Sequence, residues 1–91
     1  MDKCVDIVVK GRVQGVGFGW YVQQKAAALD LTGFVKNLPN QDVEVEAEGE
    51  EEKLKQLIVQ LRKGPTFSKV IDIVLEWREA KGLYDSFDIT Y

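Results

Sequence analysis

Residues 43–65 read VEVEAEGEEEKLKQLIVQLRKGP, and inside this stretch the hydrophobic pattern changes from a strand period to a helix period. In residues 43–49 apolar and acidic side chains alternate, which predicts a strand with one buried face. From residue 54 the apolar side chains follow the i, i+3, i+4, i+7 spacing of a helix, with glutamates before them and Gly64-Pro65 after them. The segment therefore predicts a strand followed by an amphipathic helix that covers one face of a sheet.

The flanking sequence extends this pattern in both directions. Toward the N-terminus it predicts a strand over 5–11, a helix over 18–30 and a strand over 32–38, and toward the C-terminus strands over 69–78 and 87–91. Right-handed crossovers in a βαββαβ order place both helices on one face of a mixed, mostly antiparallel sheet. We therefore expect an α+β, ferredoxin-like sandwich in which residues 1–91 form a single domain.

Composition excludes several classes of protein. With 45% apolar and 30% charged residues, the chain resembles an average globular domain and not a disordered or fibrous one. It has no histidine and a single cysteine, Cys4, so we expect no imidazole base, no transition-metal site and no internal disulfide. No apolar run is long enough for a membrane span, and the N-terminus lacks a signal-peptide pattern, which favours a cytoplasmic protein.

The distribution of charge argues against a nucleic-acid partner. The net charge is −3, and residues 42–52 carry seven acidic side chains and no basic one. We interpret this acidic block as a solvated face, because it lacks the loop pattern of a calcium site. A single-stranded RNA binder of this layout would need aromatic platforms and a basic groove; Phe34 is a lone candidate, and Glu44, Glu46 and Glu48 oppose it. A small anion bound elsewhere stays compatible with these charges.

Residues 11–20, GRVQGVGFGW, join the first strand to the first helix. Gly15, Gly17 and Gly19 permit positive φ and close backbone approach, so successive amides can point into one concavity at a helix N-terminus. Such an arrangement suits a phosphate group, although a tight strand-to-helix turn would need the same glycines. The sequence lacks the Gly-Lys-Ser/Thr end of a P-loop, and Trp20 stands where a dinucleotide fingerprint needs glycine.

Together these motifs closely resemble the acylphosphatase family. The resemblance covers nearly the whole chain in order and rests on residues 11–18, residues 33–37, Val43, Val45, Gly49, Gly64-Pro65 and the final strand at Phe87. It implies a ferredoxin-like fold and hydrolysis of the carboxyl-phosphate bond of acyl phosphates without a metal or an organic cofactor. The expected partner is a small acyl phosphate or inorganic phosphate, with neither nucleic acid nor membrane, and the expected state is a monomer.

The resemblance also implies which residues form the site. The backbone amides expected to hold the phosphate belong to what we call the glycine segment: Gln14, Gly15, Val16, Gly17, Phe18 and Gly19. Asn37 matches the family's asparagine, which positions the attacking water, and its amide offers both a donor and an acceptor. The alternative is that Asn37 only starts the turn at Leu38-Pro39-Asn40, as asparagine often does.

One departure from the family pattern affects the centre of the mechanism. The family has a catalytic arginine directly after the phenylalanine, and this chain has Gly19 there. Arg12 is the nearest substitute, but it matches a second basic position of the family. By analogy with arginine fingers, the loss of this guanidinium costs on the order of 10³ to 10⁵ in rate. The chain is therefore either a hydrolase of low or absent activity or a non-catalytic phosphate-binding module.

Two further expectations concern neighbouring positions. The family's turn usually has glycine where this chain has Gln41, so a positive φ there would strain the backbone by about 1 kcal/mol. Trp20 and Tyr21 are expected to pack onto the sheet, with the border of an acyl-group pocket as the alternative.

Overall fold

A computed structural model describes residues 2–91 of the chain. These residues form five strands and two helices: β1 (Asp2–Arg12), α1 (Phe18–Ala28), β2 (Thr32–Asn37), β3 (Val43–Glu50), α2 (Glu51–Lys63), β4 (Lys69–Glu79) and β5 (Phe87–Thr90). The strand order is β4-β1-β3-β2-β5, in which only the β2–β5 pair of these strands is parallel. The predicted ferredoxin-like α+β fold with a mixed, mostly antiparallel sheet is confirmed. No helix within residues 2–91 is long and apolar enough to cross a bilayer.

The hydrophobic core lies between the two helices and one face of the sheet. Alternate residues of β1, namely Val5, Ile7 and Val9, are fully buried there, as the strand period requires. The i, i+3, i+7 residues of α2 meet them from above: Leu54, Leu57 and Leu61. Removal of this apolar surface from water is the main stabilising contribution to the layered structure.

The helix ends follow local chemistry. Helix α2 carries acidic side chains in its first turn and Arg62 and Lys63 in its last, which complements its dipole, and Gly64 ends it with φ +67°. Helix α1 ends at Ala28, two residues before the predicted end. The reason is that Asp30 adopts a left-handed φ of 58°, which lets the Leu31 amide return to the Ala26 carbonyl at 3.0 Å.

The opposite sheet face, which we call the open face, is not the solvated acidic surface that the sequence suggested. Glu48 is only 6% exposed, and its carboxylate accepts hydrogen bonds from the backbone amides of Lys81 and Gly82 at 2.9 and 3.0 Å. The Tyr84 hydroxyl donates to Glu46, which also pairs with Arg78 on β4 at 2.9 Å. The β4–β5 connection therefore crosses this face and uses the acidic side chains of β3 as anchors.

Candidate functional site

The glycine segment borders a cavity of about 420 Å³ at the end of the sheet where β2 and β5 lie side by side. We call this the site cavity. Its lining includes Gly15, Gly17, Phe18 and Gly19 from the glycine segment, Asn37 from β2 and Ile89 from β5. The structure thus brings together most of the residues that the sequence predicted as a site, although they come from two separate parts of the chain.

A larger open groove of about 550 Å³ lies at the opposite edge of the sheet, beside Trp77 of β4. The charged side chains that line it are already paired: Lys3 with Glu79 at 2.6 Å and Lys55 with Glu51 at 3.3 Å. This pairing leaves the groove without free polar groups for chemistry. The smaller site cavity is therefore the better candidate.

The backbone of the glycine segment adopts the predicted positive φ at Gly15 and Gly17 but not at Gly19. Gly15 and Gly17 adopt left-handed φ values of 73° and 75°, which explains why these positions are glycine. Gly19, in contrast, lies in the first turn of α1 and is not among the positive-φ residues of the described chain. Apart from its two chain neighbours and the backbone of α1 itself, a Cβ added at Gly19 would meet only the Cγ2 atom of Ile89 within 4 Å among the described residues, at 3.7 Å. A side chain at position 19 is therefore compatible with the local backbone.

The amides of the glycine segment are free to bind an anion. Within residues 2–91, no backbone or side-chain acceptor receives a hydrogen bond from the amides of residues 15–19. Gly17 is the N-cap of α1 and supplies no side-chain cap, and the first turn of α1 contains no acidic residue. The positive end of the helix dipole is thus open toward the site cavity, where it favours a bound phosphate.

The side chain of Gln14 has a structural role. Its Nε2 group donates to the carbonyls of Leu38 and Asp42, both at 2.8 Å, and so ties the glycine segment to the turn between β2 and β3. Neither Gln14 nor Val16 is part of the cavity lining, and Val16 packs against the core. The structure therefore does not place these two predicted site residues in the cavity lining.

Asn37 is the last residue of β2 and is exposed at the site cavity. It pairs with Val43 across the sheet, and its side-chain amide makes no hydrogen bond with any described residue. Both the donor and the acceptor of this amide are therefore available to a ligand or a water.

The turn that follows Asn37 is held by Asp42, a residue that the sequence argument assigned only to the acidic block. Its carboxylate pairs with Lys10 at 2.7 Å and accepts from the Asn40 side chain at 3.1 Å, and its carbonyl accepts from the Leu38 amide at 2.9 Å. Gln41 adopts φ 79°, so the expected backbone strain at this position is confirmed. The spacing of Asn40 and Asp42, typical of an Asx turn, was the available signal.

The described part of the site cavity contains no free cation. Arg12 is exposed, forms no ion pair within residues 2–91 and is absent from the lining. Lys36 does line the cavity, but its Nζ atom lies 3.7 Å from the Glu44 carboxylate and 5.6 Å from the Phe34 ring centroid, both on the open face. Phosphate charge in the cavity would therefore meet only neutral donors.

The two aromatic residues at the start of α1 behave differently from each other. Trp20 is 64% exposed and does not line the site cavity, so the expectation that it packs onto the sheet is wrong. Tyr21 is partly buried against the core, and its hydroxyl donates to the Gln60 carbonyl of α2 at 2.9 Å. Ile89, which sequence reasoning did not single out, takes the apolar position in the lining.

Comparisons with known proteins identify the family and agree with the fold. The family model described as "Acylphosphatase" matches residues 5–89. The acylphosphatase of Bacillus licheniformis is 46% identical over 93% of this chain and 94% of its own, and that of Caldanaerobacter subterraneus is 43% identical over 98% and 99%. The crystal structure of acylphosphatase from Bacillus subtilis superposes with a TM-score of 0.95 at 39% identity, and covers 98% of this chain and 99% of its own.

Proposed function

The chain belongs to the acylphosphatase family, and from this premise we propose that it hydrolyses acyl phosphates in the site cavity. The observation that carries the proposal is the set of unpaired amides in the glycine segment, which lies in one cavity with the free side-chain amide of Asn37. An anion cradle next to a neutral group that can orient water is the arrangement that phosphoryl transfer to water needs.

In the proposed step, the amides of residues 15–19 bind the phosphoryl oxygens, and the dipole of α1 offsets part of their charge. The Asn37 side chain accepts a hydrogen bond from a water molecule and donates one to the phosphoryl or acyl oxygen. An oxygen lone pair of this water forms a bond to phosphorus, and the bond between phosphorus and the acyl oxygen breaks with its electron pair on the carboxylate. Carboxylate and hydrogen phosphate are released, and one proton goes to solvent. No metal or organic cofactor enters this step.

We propose further that the rate of this reaction is low, because position 19 offers an amide and no guanidinium. A guanidinium forms two parallel, charge-assisted bonds to phosphate and keeps its charge throughout the reaction. The exposed position of Arg12 and the contact of Lys36 with Glu44 support this view, since neither cation substitutes for the missing one.

The decisive experiment replaces Gly19 by arginine and measures hydrolysis of benzoyl phosphate. Two charge-assisted bonds of ~1.5 to 3 kcal/mol each predict a gain of at least about a hundredfold in kcat/KM for Gly19→Arg. Gly19→Lys is expected to gain much less, because an ammonium cannot form the bidentate contact. Both variants should fold, because a Cβ atom at position 19 makes only an ordinary van der Waals contact with Ile89 and the backbone there does not have a positive φ.

The matched control is Gln24→Arg, which adds the same charge on an exposed position of α1 outside the cavity. Its kcat/KM should equal that of the parent. If Gly19→Arg folds as stably as the parent, binds phosphate more tightly and hydrolyses acyl phosphate no faster, the hydrolase proposal is wrong.

The alternative function is a non-catalytic phosphate-binding module, which the lack of a free cation in the described cavity favours. Both functions predict that inorganic phosphate shifts the amide resonances of residues 15–19, with a dissociation constant near 1 mM, since neutral amides supply about −4 kcal/mol. They differ in turnover, so the Gly19→Arg assay separates them. The proposal includes a monomeric, cytoplasmic protein whose partner is a small acyl phosphate or phosphate, without nucleic acid or membrane.

A further inference from the structure

Three basic side chains lie at the end of the sheet that carries the site cavity. Strand β1 ends at Arg12, strand β4 begins directly opposite it at Lys69, and helix α2 ends at Lys63. All three residues are exposed, and none of them forms an ion pair within residues 2–91. We call these three residues the basic rim.

The basic rim adjoins the site cavity without being part of its lining. Arg12 is followed in the chain by Val13, which lines the cavity. Lys63 is followed by Gly64, and a Cβ added at Gly64 would lie 3.3 Å from the Cε2 atom of Phe18, another residue of the lining. The rim charges can therefore act on a phosphate in the cavity through space, from outside the cavity.

Other charges near this end of the sheet are balanced. Asp42 forms an ion pair with Lys10 at 2.7 Å, and the Glu44 carboxylate lies 3.7 Å from Lys36. An ion pair presents little net charge at a distance. The exposed acidic residues of the two edge strands nearby are Asp72 and Asp88. The charges of the basic rim outweigh these two, so the field at this end of the sheet attracts anions.

The opposite end of the molecule, which we call the acidic end, has the reverse character. Strand β4 ends and helix α2 begins there. Its acidic residues include Asp2, Asp30, Glu50, Glu51 and Glu79. The net charge of the chain is −3, so the molecule as a whole repels an anion while the end with the site cavity attracts one.

The pairing of Arg12 with Lys69 gives the fold no evident benefit. The two residues are direct partners in the antiparallel β1–β4 ladder. Like charges directly opposite each other on neighbouring strands destabilise a sheet. Neither cation has an acidic partner within residues 2–91 that would relieve this repulsion. A role in attracting an anionic ligand explains why both charges lie there.

We infer that the basic rim draws the dianionic phosphoryl group to the site cavity and raises the affinity of the glycine segment for it. This inference rests on the proposed function and assigns positioning residues outside the cavity. The Debye length is about 10 Å at 0.1 M salt and about 3 Å at 1 M, so the attraction acts at the lower salt concentration and is screened at the higher one. We expect the rim to supply about a 3- to 5-fold gain in phosphate affinity at about 0.1 M salt.

The test is a titration of inorganic phosphate at pH 7.5, followed by the amide resonances of residues 15–19. The rim variant combines Arg12→Gln, Lys63→Gln and Lys69→Gln. Its dissociation constant should be about 3- to 5-fold higher than that of the parent at about 0.1 M salt, and the two should agree within about 1.5-fold at 1 M. Urea unfolding should show a rim variant at least as stable as the parent, because a like-charge pair has been removed.

The matched control removes the same amount of charge from the acidic end. Lys3→Gln, Lys53→Gln and Lys55→Gln together change the net charge as the rim variant does, far from the site cavity. This variant should bind phosphate within about 1.5-fold of the parent at 0.1 M salt. Equal losses of affinity in the two variants would overturn the inference, since net charge and not its position would then govern binding. An unchanged dissociation constant in the rim variant would also overturn it.

A third variant separates charge from specific contacts. Arg12→Lys, Lys63→Arg and Lys69→Arg together keep every rim charge and change each side chain. Its phosphate affinity should match that of the parent at both salt concentrations. A loss as large as that of the rim variant would overturn the inference, because contacts and not charge would then be responsible.

The same titrations separate this inference from the proposed function. A rim effect of the expected size, without hydrolysis of acyl phosphate by any variant including Gly19→Arg, would reject the hydrolase function and support the basic rim. Hydrolysis by Gly19→Arg with a dissociation constant that is unaffected by the rim substitutions would do the reverse. No shift of the parent amides with phosphate would reject the anion site and the rim together.

Discussion

Asn37 is proposed to position the attacking water because its side chain makes no hydrogen bond with any described residue. A hydrogen-bonded turn asparagine supports the fold, whereas Asn37 has no partner among the described residues and faces the site cavity. Asn40, three residues later, is the structural asparagine of this turn, because its side chain accepts from the Asp42 amide and donates to the Asp42 carboxylate, both at 3.1 Å. We therefore assign the chemical role to Asn37 and the structural role to Asn40.

We predict that Asn37→Ala abolishes hydrolysis of acyl phosphate and changes the free energy of unfolding by less than about 0.5 kcal/mol. Asn40→Ala, the matched control, should lower the unfolding free energy by about 1 kcal/mol and leave turnover in place. Urea unfolding and benzoyl phosphate hydrolysis of both variants, made in the Gly19→Arg background for sensitivity, measure these effects. A large loss of stability with unchanged turnover in Asn37→Ala would assign it to the turn.

Single residues whose role depends on adjacent sequence could be predicted, and residues whose role depends on distant partners could not. The motif around Gly15 and Gly17 indicated an anion site because backbone conformation is a local property. Asp42 and Ile89 were missed for the opposite reason. The ion pair of Asp42 with Lys10 spans 32 positions, and Ile89 reaches the site only through the register of β5 with β2.

At the scale of elements, the side chain of Gln14 links the glycine segment to the β2–β3 turn. Its two bonds to backbone carbonyls hold the anion cradle and the Asn37 strand end in one position. We predict that Gln14→Ala lowers the unfolding free energy by about 1 to 2 kcal/mol, because two partly buried hydrogen bonds are lost, although each carbonyl keeps a backbone donor.

The same variant should weaken phosphate binding and speed amide hydrogen exchange at Leu38 and Gln41, whose amides form hydrogen bonds within the β2–β3 turn. Gln24→Ala, an exposed glutamine of α1, serves as the control and should change neither property. Unaltered exchange and stability in Gln14→Ala would show that the glycine segment holds its shape without this link.

Most helices and strands could be predicted from the spacing of apolar residues, because each of them buries a single face. The alternation in β1 and β3 gave strand ends within three residues of those observed, and the 3.6-residue stripe of α2 lies inside the observed helix. The parallel pairing of β5 with β2 was not readable, since four residues of alternating pattern do not specify a neighbour. That pairing completes the lining of the site cavity.

At the scale of the molecule, the two sheet faces differ in their surroundings. The helix-covered face ends in the site cavity, whereas the open face carries a network of acidic side chains under the β4–β5 connection. The sequence suggested a solvated acidic face because the residues that cover β3, at positions 81–84, are far away in the chain. On the open face, partial burial of Asp6 couples the stability of the whole domain to pH.

Asp6, on the open face of β1, is the clearest case of this coupling. Partial burial, followed by a shared hydrogen bond with Glu44 and the charges of Glu44 and Glu46, raises the pKa of Asp6 from 3.8 to about 6, although Arg78 opposes the shift. Glu76 of β4 faces Asp6 from the other neighbouring strand. A carboxyl group whose pKa is higher in the folded chain binds more protons there than in the unfolded chain. Its contribution to stability is therefore complete below pH 3.8 and is lost as the pH rises through about 6.

We predict that Asp6→Asn raises the unfolding free energy by about 1 kcal/mol at pH 7.5, less than the full shift implies because solvent screens this partly exposed group. The difference between variant and parent should shrink toward zero near pH 4, where the parent carboxyl is also neutral. Urea unfolding of both proteins between pH 4 and 7.5 measures this difference, so that acid effects common to both cancel. Asp85→Asn, at an exposed position of the β4–β5 connection, should show no such dependence. An Asp6→Asn difference that stays constant over this range would mean that Asp6 titrates alike in the folded and unfolded chain.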